Sequence, residues 1–241
     1  MQNEIIEKII THWRHNYFTE PILISVFIFC FIIAMVFRYK ETARGFFLLY
    51  FLFGILLFVV MNPVDFFQVI TGRKLAVLSE ISNTSFELTE FTAFYYFFRK
   101  SFQNKKHQKL SKIFLISLCI IVGLFFSALA VPGYAIDSIR KHSFFINVIE
   151  LFFLAFLCLA YFYELFTDIP KINLIQRPSF FIISSTFFYS VLLIPFFLLA
   201  HDMLKMDRQF YDVLFACHYI VLTIVLLAIS KALLCRKPIT T

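Results

Sequence analysis

Apolar positions fall into long runs separated by short polar or basic stretches. Seven runs predict helices, at about Pro21–Phe37, Gly45–Met61, Leu75–Phe98, Ile113–Val131, Phe144–Phe166, Phe180–Ala200 and Phe210–Leu234. Each supplies roughly the 17–25 residues that a helix needs to cross a bilayer. In lipid the backbone must satisfy its own hydrogen bonds, which selects helices. The period-two alternation of a membrane barrel is absent. Asn62-Pro63 and Pro132-Gly133 end the second and fourth runs, and Pro195 falls inside the sixth.

Ahead of the first run, Ile5, Ile9, Trp13 and Tyr17 repeat at helical spacing beside Ile6 and Ile10. This stripe predicts an amphipathic helix over residues 1–20, lying in the membrane interface or packed across the mouth of the bundle. The segment lacks a basic n-region and a small-residue cleavage site, so it does not read as a signal peptide. The expected fold is all-α: a polytopic bundle of seven transmembrane helices over residues 21–235, with a short N-terminal amphipathic helix and a short cytoplasmic tail at 236–241.

The third run breaks the apolar pattern. Its first two-thirds carry Glu80, Asn83, Glu87 and Glu90 among Ser and Thr, and its last third, Phe91–Phe98, is aromatic. Helical spacing gathers Glu80, Asn83, Thr84, Glu87 and Glu90 on one arc, with Ser79, Ser82, Ser85 and Thr89 over much of the rest. A charge at the bilayer centre costs at least ~2.5–3.5 kcal/mol, so such groups face the bundle interior. This helix is therefore expected at the bundle centre, its hydroxyls packing against neighbours and its aromatic third packing or meeting lipid.

Composition agrees with a membrane chain: 61% of residues are hydrophobic and 15% charged, against about 25% charged in soluble domains. The net charge of +7 invites a nucleic-acid reading, but the basic residues sit between apolar runs, where they set topology. The segment from Arg99 to Lys112 holds six of them. With its side of the membrane it carries 14 Lys and Arg, against 8 on the other. The positive-inside rule then places the N-terminus outside and the C-terminus in the cytoplasm. That basic segment is also the expected docking place for a cytoplasmic or membrane partner. Of the five cysteines, four lie within apolar runs and Cys235 ends one, so they read as small buried side chains rather than a disulfide framework.

At the depth of the acids in the third run, the fifth run offers Asn147 and Glu150, and the seventh offers Asp212 and Tyr219. Two readings stand. One is a polar pocket in the outer half built from Glu80, Asn83, Glu87, Glu150, Asp212 and Tyr219, suited to a cationic or hydrogen-bonding ligand or to a proton path. The other is a dry set of interhelical hydrogen bonds with some acids neutral. His218, on a different face of its helix from Asp212, reads as a packed side chain. A second facing intramembrane histidine is missing, which argues against haem. Lys231 lies at the end of its run, where snorkelling explains it better than a retinal Schiff base. HExxH, P-loop, GxSxG and CxxC patterns are absent, so no enzyme and no cofactor is expected.

FELTEFTAFYYFF at Phe86–Phe98, YFYELF at Tyr161–Phe166, INLIQRPSFFI at Ile172–Ile182 and ALLCRK at Ala232–Lys237 together resemble a family of uncharacterised bacterial seven-span inner-membrane proteins. The chain departs from that pattern at Phe181, where the family carries Trp. The resemblance implies seven spans, a bacterial inner membrane and a cytoplasmic C-terminus, and brings no catalytic residues. The leading functional expectation is a sensor or receptor-like module that signals through a partner. A small carrier or channel for a proton, cation or small polar solute is the alternative. An assembly subunit of a membrane complex is a third reading.

Overall fold

The computed structural model describes residues 19–36, 42–57, 73–130, 135–168, 178–206 and 208–234. Among them run seven helices: α1 (Thr19–Val36), α2 (Thr42–Leu56), α3 (Arg73–Ser101), α4 (Lys105–Leu129), α5 (Ile136–Asp168), α6 (Pro178–Met206) and α7 (Arg208–Leu234). The expected amphipathic helix over 1–20, apart from the first residues of α1, and the tail at 236–241 lie outside the described residues.

Four helices are long and apolar enough to cross a membrane: Lys105–Leu129, Ser138–Thr167, Ser179–Ala200 and Val213–Leu234. The apolar stretches of α1 and α2, Ile22–Val36 and Gly45–Leu56, are shorter. α3 is long enough but carries too much polarity to qualify on composition. Length and composition thus support four of the seven expected spans.

α1 packs on α2 and α7, α2 on α3, α3 on α5, α5 on α6, and α6 on α7, closing a ring of six helices. α4 lies outside that ring against α3 and α5. It buries only Ser111, Leu118, Val122 and Phe125, and turns Ile113, Ile116, Ile120 and Leu124 outward. Because α4 returns the chain between them, α3 and α5 run parallel. Their polar contacts keep a nearly constant offset of 59 to 61 residues along the whole pair.

The expected basic loop between the third and fourth runs is not a loop. α3 continues to Ser101 and α4 begins at Lys105, leaving Phe102–Asn104 as the turn. Asn104 caps α4 by accepting from the Lys106 N–H at 2.9 Å. Lys105 and Lys106 in the first turn oppose the helix dipole. Glu164, from the far end of α5, offsets them. Its carboxylate accepts from the Gln103 N–H at 3.0 Å and the Asn104 N–H at 3.1 Å, and it pairs with His107 Nδ1. Glu164→Ala would strip the turn of its acceptor. An expected loss of about 1–3 kcal/mol should appear as earlier unfolding in a detergent titration. Glu164→Gln, which keeps one acceptor oxygen, should recover part of it.

Aromatic side chains fill the space between α1, α2 and α3. Phe27 meets Tyr50 edge-on with centroids 5.8 Å apart and Phe86 at 6.1 Å. Gly54 lets α2 approach this ring, since a Cβ there would run into Phe27. Phe27 is fully buried and flanked on both sides, so it has nowhere to retreat. Gly54→Ala is expected to cost about 1–3 kcal/mol by overpacking, measured in the same titration.

Candidate functional site

The polar half of α3 and the matching part of α5 face each other inside the ring. Glu87 stands at the midpoint of α3 and Glu90 one turn on, the spacing that shares a face. Asn147 and Glu150 repeat that spacing just before the midpoint of α5. Glu87, Glu90 and Glu150 are 8%, 3% and 3% exposed. Glu87, Glu90 and Glu150 therefore lie near mid-length of their helices.

Two tyrosines close on them. Tyr50 of α2 is fully buried and stacks on Phe86 at 5.4 Å. Its hydroxyl has no hydrogen-bond partner. Tyr189 of α6 is buried within electrostatic reach of Glu90, Glu150 and Glu87. Behind it, His218 of α7 meets the Tyr189 ring edge-on at 6.1 Å and is stacked on Phe215 at 5.5 Å. Asn147 of α5 lies near Glu87, and its Oδ1 has no hydrogen-bond partner. Four helices of the ring thus supply the cluster, and α7 backs it.

The cluster is rich in acceptors and poor in donors. Buried without a hydrogen-bond partner are Glu87 Oε2, Glu90 Oε1, Glu150 Oε1, Asn147 Oδ1, the Tyr50 hydroxyl and His218 Nδ1. The carboxyl and amide oxygens among them can accept and, without an added proton, cannot donate. Lys and Arg are absent from α3 between Lys74 and Arg99 and from α5 between Lys141 and Asp168. The Tyr50 hydroxyl can donate but is outnumbered by the four partnerless oxygens. Added protons on the carboxyls or a donor from outside the side-chain set would complete the network, because unpaired buried polar atoms cost about 1–3 kcal/mol each. Among the described residues, no three His, Cys, Asp or Glu side chains are arranged to hold a metal ion. The chemistry that fits is a proton, water or an N–H-bearing cation.

Of the six expected pocket residues, the structure brings Glu87 and Glu150 together. Glu80 lies nearer the start of α3, 3.7 Å from Arg140, with its side chain 16% exposed. Asn83 is half-buried on the turn between Glu80 and Glu87. Tyr219 is half-buried against Phe215 and His218, each at 5.6 Å. Asp212 belongs to α7, and its side chain is outside the described residues. The expected set omits Glu90, Tyr50, Tyr189 and His218. Tyr50 did leave a signal, as the one polar-tipped side chain in Gly45–Leu56.

The hydroxyls of α3 mostly do not bridge to neighbouring helices. Ser85, Thr89 and Thr92 donate to their own helix, to the carbonyls of Ile81, Ser85 and Leu88 at 2.7, 2.8 and 2.7 Å. This back-bonding satisfies a hydroxyl locally. Thr84 differs, lying 3.4 Å from Ser143 of α5.

No protein-family model, curated protein or solved structure matches the chain. The functional reading therefore rests on the cluster itself.

Proposed function

We propose that this chain is a seven-span membrane sensor module. In this reading its central carboxyl cluster takes up a proton or a compact N–H-bearing cation and passes that occupancy to a partner at the basic end of α3 and α4. The observation that carries the reading is the excess of buried, unpartnered acceptors over donors around Glu87, Glu90 and Glu150. Seven spans follow if α3 and the two shorter apolar helices, α1 and α2, cross the bilayer as well. The polarity of α3 is no obstacle, because none of its side chains from Glu80 to Phe98 is exposed, and intramembrane acids are tolerated when they face the bundle interior. The basic segment then lies in the cytoplasm of a bacterial inner membrane, as the positive-inside rule places it. Arg99, Lys100, Lys105 and Lys106 are exposed there.

A carrier of the same ligand is the second reading. What favours it is the depth of the cluster, since carriers bind their cargo near the bilayer midplane. One set of experiments separates the two. The protein is reconstituted in proteoliposomes, an acid step is applied to each face, and proton flux is followed together with amide exchange at the Phe102–Asn104 turn. Flux that is lost in Glu87→Gln supports the carrier. A change at the turn without flux, also lost in Glu87→Gln, supports the sensor. If neither flux nor exchange responds to the step, both readings fail.

A further inference from the structure

The contacts between α3 and α5 are graded along the pair. At one end Glu80 and Arg140 approach to 3.7 Å, with the Arg140 side chain 40% exposed. One turn deeper, Thr84 and Ser143 meet at 3.4 Å. Another turn on come Asn147 and Glu87, and then Glu90 and Glu150, within electrostatic reach of Tyr50 and Tyr189. Polar side chains thus line the seam at each helical turn from the exposed end to the cluster. Unpartnered buried atoms occur at its bottom, on Glu87, Asn147, Glu90 and Glu150.

Past Glu90 and Glu150 the seam changes character within one residue on both helices. Phe91, Phe94 and Phe98 of α3 are 0%, 1% and 0% exposed, and Leu154, Leu157 and Cys158 of α5 are each 0% exposed. Phe91 packs on Phe153 with centroids 6.2 Å apart, and Phe153 is stacked on Phe114 of α4 at 4.4 Å. The next carboxylate on this line is Glu164, whose oxygens are committed to the α3–α4 turn.

We infer that protons and water reach the central carboxyls along the α3–α5 seam from the Arg140 end alone, and that the aromatic half of α3 seals the opposite side. The inference builds on the reading of the cluster as a proton site and specifies its access. A site open to one side reports the composition of one compartment and moves nothing across, which is the behaviour of a sensor rather than a carrier. Groups facing the cluster from the packed helices are Tyr50 on α2, Tyr189 on α6 and His218 on α7, with Cys30 of α1 near Tyr50. They are neutral donors, acceptors or packing groups that do not continue the polar line to the far end.

Thiol accessibility tests this. Ser143→Cys is placed in the otherwise native chain, and sealed vesicles receive a membrane-impermeant cationic thiosulfonate on one face or the other. Peptide mass then locates the label. Cysteine at 143 is expected to react roughly tenfold faster from the Arg140 face than from the opposite face, as thiol reactivity follows access. Native Cys158 is expected to stay unmodified from both. Reaction of Cys158 from the basic face, or equal reaction of Ser143→Cys from both faces, overturns one-sided access. So does an inert Ser143→Cys, checked with Thr84→Cys in case one side chain points away. Labelling needs no proton response, so a chain that labels as expected but ignores the acid step refutes the proton reading and leaves the one-sided seam standing.

Discussion

Changing Glu87 and Glu150 together to Gln is expected to stabilise the bundle while abolishing its response to an acid step. Both carboxyls are buried and each keeps an oxygen without a partner. Gln preserves the shape and removes the formal charge. It also brings two N–H donors per side chain into a place where Asn147 Oδ1 and Glu90 Oε1 lack partners. Pairing such atoms is worth about 1–3 kcal/mol, which should raise the midpoint in a detergent-unfolding titration by a clear margin. The corresponding Ala pair removes the same charges but leaves space behind, so it should lower the midpoint. A Gln pair that destabilises as much as the Ala pair would mean the carboxyls are already satisfied in the native bundle. The acceptor excess would then lose its significance.

Much of this architecture is legible in the sequence, for physical reasons. Helix positions follow from apolar runs, and the odd character of the third run follows from its acids. Three features escaped. The first is depth: α5 begins at Ile136 rather than near Phe144, because the amphipathic turn carrying Arg140 is too polar to read as a span. That extension moves Glu150 from near the helix start to near its middle. The second is company. Tyr50 sits on a helix that is otherwise apolar and Tyr189 on one that also carries Ser184, Ser185, Thr186 and Ser190, and which face of such a helix turns inward is fixed by packing, not by its own pattern. The third is the aromatic end of α3. Phe91–Phe98 suits packing and lipid alike, and the choice is made because α4 folds back over α3 and α5 and covers the seam, so Phe91, Phe94, Phe97 and Phe98 are buried. A tight turn at Phe102–Asn104 makes that possible, and its determinant, Glu164, lies some sixty residues away in sequence.

The aromatic end is also where one substitution should do most damage. Phe91→Ala is expected to cost about 3–5 kcal/mol, the range for truncating a buried Phe. Phe91 is fully buried and joins α3 to Phe153 of α5, which in turn holds α4 through Phe114. Removing the ring loosens three helices at once. It also opens a space one helical turn on from Glu87, whose unpartnered carboxyl oxygen would draw water into it; a polar, roomy space is the kind that hydrates. Two readouts separate packing from sealing. Unfolding in a detergent titration reports the lost contacts, and Phe91→Leu should regain much of that loss by refilling the space. Labelling of Cys158 reports the seal. It should become reactive in Phe91→Ala, while Phe91→Leu keeps it protected. If Phe91→Ala is strongly destabilised but Cys158 stays inert, the ring serves only to bind the helices, and the barrier to water lies deeper, at Phe94 and Phe98.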